Sequence, residues 1–292
     1  MDIGRKMDQR LGVRPVAADD EPLPALEAAA SHVTSPCGEG SMVLRGWGEG
    51  PALVLLHGGS GSWRHWGANI AALATKRRVI VPDQPGLGDS ASPPDPYTPQ
   101  SVGRIVADGI EAALPAGERY DLCGFSFGGM VASQVAAVHG ERVRSLTLVG
   151  AGAMGFPRHS VGLLKVRRLQ GEERVAAHRE NLRRLMIADP ARIDALALAI
   201  QEVNTRGSRM KSPQFASTTA LLDAVAAYPG PLNGIWGGAD VTATPSIAAR
   251  RERLMSVRPD IDFRVIEGAG HWVAYEAADA FNAVLLDMLT RG

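Results

Sequence analysis

The chain has 292 residues, 45% apolar and 21% charged, a globular composition that excludes a disordered, collagen-like or coiled-coil protein. At about 150 residues per domain it holds one large domain or two modest ones. Lys plus Arg and Asp plus Glu both number 31, and this zero net charge speaks against nucleic acid as the partner, because phosphate binding asks for a basic excess.

Cys37 and Cys123 are the only cysteines, too few for a disulfide framework. Residues 1–30 mix charges of both signs and lack the apolar stretch of a signal peptide. The purest aliphatic run, Ala52 to Leu56, is far short of the ~20 residues that span a bilayer. These features predict a cytoplasmic protein with no membrane partner.

In chain order, Pro15, Pro22, Pro24 and the acidic run Asp19-Asp20-Glu21 predict a loose arm over 1–30. Short apolar runs follow at Met42–Trp47, Ala52–Leu56, Arg78–Val81, Tyr120–Cys123 and Ser145–Val149. Several are continuously apolar, as strands covered on both faces are. Helical patterns lie between them at Trp66–Thr75, Ser101–Leu114 and Phe127–His139. This alternation predicts a parallel α/β sheet. It stops after Gly150. Residues 151–229 read as a helical insertion, with Leu163, Leu164 and Val166, then Leu182, Leu185 and Met186, at helical spacing. Strands resume at Leu232–Trp236 and Phe263–Ile266, and a helix closes the chain over Ala277–Leu289. The expected division is a core of 31–150 with 230–292, and a cap of 151–229.

Gly124-Phe125-Ser126-Phe127-Gly128-Gly129 joins a strand to a helix. A serine on so tight a turn takes a strained backbone and needs small neighbours. The turn also sets Ser126 at a helix N-terminus, where negative charge is favoured. Ser126 is therefore the candidate nucleophile. His57-Gly58-Gly59-Ser60 follows a strand and offers backbone N–H groups to a developing oxyanion. The donors assigned are Gly59 and Phe127, with Ser60 the alternative to Gly59.

A serine hydroxyl needs a base. Of seven histidines, His271 in Gly270-His271-Trp272 follows the last strand, where sites assemble in open α/β sheets. His139 and His178 sit in helical stretches and read as structural or solvated. The base needs an orienting carboxylate, and Asp240 follows the strand Leu232–Trp236 at the same sheet edge. The order Ser126, Asp240, His271 is the one expected for this kind of sheet.

With these residues in place the sequence resembles the α/β-hydrolase superfamily over about 40–150 and 230–290. The carrying motifs are His57-Gly58-Gly59, Asp83-Gln84-Pro85-Gly86-Leu87-Gly88-Asp89-Ser90, Gly124-Phe125-Ser126-Phe127-Gly128-Gly129, Gly237-Gly238-Ala239-Asp240 and Gly270-His271-Trp272. The resemblance implies a mostly parallel eight-stranded sheet flanked by helices, a lid over 151–229, and no cofactor or metal.

The tail His271-Trp272, Tyr275-Glu276, Phe281-Asn282 further resembles carbon–carbon hydrolases of aromatic ring-cleavage products. Those carry an asparagine before the nucleophile, where this chain has Phe125, and a cap arginine on the substrate carboxylate, for which Arg206 or Arg183 is the candidate. An ester or lactone hydrolase of the same lineage needs neither. A small-molecule receptor of this fold is the alternative outside enzymes.

Candidate substrate contacts are His57, Phe125, Trp272, Met154 and Arg206, with Trp63 and Met130 as further apolar candidates. The cap holds twelve Lys or Arg, among them Arg158, against seven acids. That field is expected to draw in an anionic substrate. The expected partner is a small molecule, and a homodimer stays open.

Overall fold

The computed structural model describes residues 22–157 and 160–290. Residues 1–21 of the expected arm, and Arg158 of the cap charge count, lie outside them. Helices are α1 Pro22–Ala29, α2 Ile70–Ala74, α3 Pro99–Ala113, α4 Phe127–His139, α5 Gly171–Leu185, α6 Ala195–Gly207, α7 Ala220–Ala227, α8 Ile247–Met255, α9 Val273–Glu276 and α10 Ala278–Leu289. Strands are β1 Ser31–Cys37, β2 Gly40–Trp47, β3 Ala52–Leu56, β4 Arg78–Pro82, β5 Tyr120–Phe125, β6 Val143–Val149, β7 Leu232–Gly237 and β8 Asp262–Ile266.

The eight strands form one sheet in the order β1-β2-β4-β3-β5-β6-β7-β8. β4, β3, β5, β6, β7 and β8 run parallel. β2 lies antiparallel to β4, and β1 antiparallel to β2. All five β3 side chains are buried. Ala52, Val54 and Leu56 join the core on one face, Leu53 and Leu55 the core on the other. Alternate side chains of a strand point to opposite faces, so a strand buried twice over must be apolar throughout.

Several expectations need correction. The arm is not loose through residue 30: Pro22–Ala29 is helical, buries Leu23, and takes the Trp47 indole N–H on the Leu26 carbonyl at 2.7 Å. β1 was not anticipated, because Ser-His-Val-Thr-Ser-Pro-Cys has little apolar pattern. It is an edge strand, where Pro36 is tolerated. α3 begins two residues earlier than expected, at Pro99. The Thr98 side chain accepts the Ser101 N–H and the Ser101 hydroxyl accepts the Thr98 N–H, a reciprocal cap.

The insertion is less uniformly helical than its spacing suggests. Leu163, Leu164 and Val166 lie on an irregular segment whose backbone is clamped by Asn181. Leu164 donates to Asn181 Oδ1 at 2.7 Å, and Asn181 Nδ2 donates back to the Leu164 carbonyl at 3.0 Å. α7, at the end of that stretch, packs with the body. Leu221 and Val225 enter the core beside α4, and Gln134 donates to the Ala220 carbonyl at 2.7 Å. Among the described residues no helix is long and apolar enough to cross a membrane.

Candidate active site

The loops that follow β3, β5, β6, β7 and β8 gather at the carboxyl edge of the sheet, where open α/β sheets place their ligands. β5 ends at Phe125, and Ser126 turns the chain into α4 with φ 53° and ψ −114°. The left-handed region is costly for a side chain other than glycine. The Ser126 N–H donates to the Val149 carbonyl of β6 at 2.7 Å, which holds the turn. A methyl group at Gly128 would lie 2.4 Å from the Leu56 and His57 carbonyl oxygens. Only glycine lets α4 start this close to β3.

His271 Nε2 lies 3.0 Å from Ser126 Oγ, and His271 Nδ1 lies 2.9 Å from Asp240 Oδ2. A carboxylate only accepts, so Nδ1 carries the proton and Nε2 is free to accept from the serine. Asp240 Oδ1 takes both the Thr242 N–H and the Thr242 hydroxyl at 2.8 Å. Thr242 Oγ1 also sits 3.0 Å from His271 Nδ1. Burial pushes the Asp240 carboxyl up, but the adjacent His271 and the Thr242 donors outweigh it and hold it below the usual carboxylate value. Asp240 is thus kept ionised although 7% exposed. A side chain at Gly150 would stand 3.2 Å from His271 Nδ1 and 3.3 Å from Asp240 Oδ2, and its φ of 51° favours glycine on its own.

The Gly59 and Phe127 N–H groups donate to no protein acceptor among the described residues, and both residues line the cavity beside Ser126. Free donors at a helix start and a glycine loop suit a developing negative charge. The cavity measures about 480 Å³. Phe125, Met130 and the cap residues Leu185 and Met186 give it an apolar wall. Among the described residues no group of three His, Cys, Asp or Glu side chains stands ready to hold a metal.

Phe125 lines the cavity and packs its ring against His271, centroids 5.0 Å apart. Four other expected contacts are not on the wall. His57 is fully buried, with Nε2 accepting the Gln84 N–H at 3.0 Å and Nδ1 donating to the Gly58 carbonyl at 2.9 Å. Both its nitrogens are committed to the loop. Trp272 is buried behind the site, stacked on Tyr275, and donates its indole N–H to the His65 carbonyl at 3.0 Å. Met154 is buried in the core. Arg206 points to solvent, its side chain 71% exposed and paired with Glu202. Trp63 is likewise core, its ring 5.6 Å from that of Trp47 and 4.9 Å from the Arg64 guanidinium carbon.

The alternative arginine, Arg183, pairs with Glu180 outside the cavity. No described Lys or Arg of the cap lines the wall. Four of the described cap arginines pair with carboxylates instead, Arg183 and Arg184 with Glu180, and Arg174 and Arg206 with Glu202.

Three residues enter instead. His65 lines the cavity, accepts the Gly58 N–H at 3.2 Å, and packs 5.0 Å from Trp272. Burial, helped by the nearby His57 and His271, drives its pKa well below the ordinary value, so it stays neutral. Its only sequence signal was the run Trp63-Arg64-His65-Trp66. Thr242 was signalled by its place two residues after Asp240, where a hydroxyl returns to the preceding carboxylate. Arg250, on α8, had no signal, since it is one of three arginines in a capped helix.

The motif Asp83 to Ser90 is structural. Asp83 accepts the Trp63 N–H at 2.7 Å, the Asp89 N–H at 3.0 Å and Arg45 Nη1 at 3.0 Å, bracing the glycine loop from behind.

The family model described as the alpha/beta hydrolase family matches residues 53–284, and the chain belongs to that family. The 2-hydroxymuconate semialdehyde hydrolase of Pseudomonas sp. (strain CF600) is 41% identical over 113 residues, 38% of this chain. The match spans only 40% of that protein's length. A 2-hydroxy-6-oxononadienedioate/2-hydroxy-6-oxononatrienedioate hydrolase of Paraburkholderia phymatum is 31% identical over 258 residues, 81% of this chain and 86% of that one. Among solved structures, the enol-lactonase from Burkholderia xenovorans LB400 superimposes with a TM-score of 0.71 at 22% identity, covering 88% of this chain and all of that one. The fold is therefore the α/β-hydrolase fold.

Proposed function

We propose that this chain hydrolyses a small ester or lactone through an acyl-enzyme on Ser126. The observation that carries the reading is the continuous line Ser126 Oγ, His271 Nε2, Asp240 Oδ2, with steps of 3.0 and 2.9 Å, opening onto an apolar cavity. His271 takes the Ser126 proton as Oγ attacks the carbonyl carbon. The Gly59 and Phe127 N–H groups receive the oxyanion. His271 then returns the proton to the departing alcohol oxygen as the C–O bond breaks. Water, deprotonated by His271, releases the acid and restores Ser126. Asp240 orients the imidazole and balances its charge.

A panel of short esters and lactones tests this, with Ser126→Ala as control. Multiple turnovers by the wild type and none by a folded Ser126→Ala are expected. Full activity in that variant overturns the assignment, and labelling by a fluorophosphonate without turnover favours a receptor.

The second reading is carbon–carbon hydrolysis of a ring-cleavage product, favoured by the 31% identity to the dienedioate hydrolase. Against it stands Phe125, where an asparagine would be expected. Its ring packs on His271 and offers no polar group to an enol. Decay of the absorbance of a coloured ring-fission dienoate supports the second reading, and its persistence removes it.

A further inference from the structure

Three arginines are buried among the described residues: Arg45, Arg77 and Arg250, 4%, 8% and 6% exposed. A guanidinium stays charged when buried and so requires a counter-charge or a full set of acceptors. Arg45 has both Glu27 and Asp83 within 3.0 Å. Arg77 donates to Asp121 at 2.8 Å. Arg250 departs from this rule. It forms no ion pair with any described residue, its Nε is buried without an acceptor, and its one hydrogen bond runs from Nη2 to the Thr242 carbonyl at 3.0 Å.

Arg250 is also the only charged Lys, Arg, Asp or Glu side chain among the described residues of the cavity wall. Asp240 is near enough to act on it through space. That carboxylate is spoken for, with Oδ1 on Thr242 and Oδ2 on His271. The guanidinium is held in place from two sides. The Thr242 carbonyl takes Nη2, and the face of Phe156, itself on the wall, lies 4.8 Å from Cζ. A positioned guanidinium with one of its donors paired, in a wall that holds no other Lys, Arg, Asp or Glu among the described residues, calls for a planar anion.

We infer that Arg250 is the specificity-determining residue of the site and binds a carboxylate carried by the substrate. This rests on the hydrolase reading and narrows it to acyl compounds that bear a free acid group, such as half-esters of dicarboxylic acids. The positive charge that selects the substrate comes from the body, on the helix after the Asp240 loop, and not from the cap.

The test compares 4-nitrophenyl hydrogen glutarate with its uncharged counterpart 4-nitrophenyl pentanoate, for the wild type, Arg250→Met and Arg250→Lys. The wild type is expected to favour the glutarate half-ester. In Arg250→Met the ratio of kcat/KM between the two esters falls about 10- to 100-fold, the range for one charged hydrogen-bonded contact. The fall appears mainly in KM, and Arg250→Lys recovers part of it. If Arg250 only braces the Thr242 backbone, both esters suffer alike and the ratio stays put. That result, or a wild type indifferent to the charge, overturns the inference. If the wild type turns over neither ester, the hydrolase reading fails separately. Calorimetric titration of glutarate then decides on Arg250: binding lost in Arg250→Met upholds the subsite, and equal or absent binding removes it.

Discussion

Glu276 accepts the N–H of Gly270, the residue immediately before His271, at 2.7 Å on Oε2. The same carboxyl accepts two cap N–H groups, Ala188 at 3.0 Å on Oε2 and Asp189 at 2.7 Å on Oε1. Trp272 adds a fourth tie, donating its N–H to the Met186 carbonyl at 2.7 Å. The loop that carries the imidazole is thus fastened to the cap that roofs the cavity. Glu276→Gln keeps one acceptor oxygen and turns an N–H toward the remaining donors. Glu276→Ala removes both acceptor oxygens and all three hydrogen bonds. We expect Tm to fall in both, more in the alanine variant, at about 1–3 kcal/mol for the buried Gly270 N–H left without a partner and less for the two exposed cap donors. kcat is expected to fall with Tm as His271 loses its support. Thermal melts beside steady-state rates check this, and an unchanged kcat in Glu276→Ala would detach the loop from the cap.

Asp240→Asn probes the relay while keeping its shape. The Thr242 donors still find Oδ1, so the loop holds. The amide then presents N–H to His271 Nδ1, which forces the imidazole proton onto Nε2. That nitrogen can no longer take the Ser126 proton. A loss of about 10⁴ in kcat is expected, the scale seen when a triad carboxylate is made an amide. Burst and steady-state measurements on a chromogenic ester read it, and a loss below tenfold would remove Asp240 from the mechanism.

What was legible in the chain was local. Gly124 to Gly129 announced a strained turn because small residues must flank Ser126. The positions of Asp240 and His271 after strands placed them at one sheet edge. β3 was readable because burial on both faces leaves an unbroken apolar run. β1 escaped because an edge strand tolerates polar residues and Pro36. The cavity wall was illegible for a different reason. Whether Arg206 or Arg250 faces the substrate depends on where helices far apart in sequence dock, although the pairs of Glu180 with Arg183 and Arg184, and of Glu202 with Arg206, lie one helical turn apart and are readable in the sequence. His57 and Trp272 misled because proximity in sequence to a site residue does not say which way a ring turns. Each supports the loop from behind.

Arg206→Ala follows from that distinction. Its side chain is exposed and its partner is the shared carboxylate Glu202. Removing it is expected to leave kcat/KM unaltered on neutral and carboxylate-bearing esters alike, and to cost at most about 1 kcal/mol, as exposed ion pairs do. Parallel kinetics and melts are sufficient. A selective loss on the carboxylate-bearing ester would return the cap arginine to the site and count against Arg250.

The same cluster sets how the cap answers acid. Burial raises the Glu202 carboxyl, but hydrogen bonds from Arg174, Arg206 and His178 overcome this and bring it down to about 2. A carboxylate whose folded value lies below its ordinary one stabilises the fold above the ordinary value. That contribution is full above about pH 4.5 and is lost as pH falls from there toward 2. His178 is held below its ordinary value of 6.5, first by burial and against the pull of Glu202. The unfolded chain takes up that proton first, so its contribution is present above pH 6.5 and erodes below it. Both groups work in one direction, and Tm should decline steadily from pH 7 to pH 3. His178→Gln is expected to flatten the upper part of that decline. Glu202→Gln should lower Tm at pH 7, where three donors lose their carboxylate, and flatten the part below pH 4.5. A Tm that rises on acidification, or profiles unchanged by both substitutions, would show that the α5–α6 contact is not held by this charge cluster.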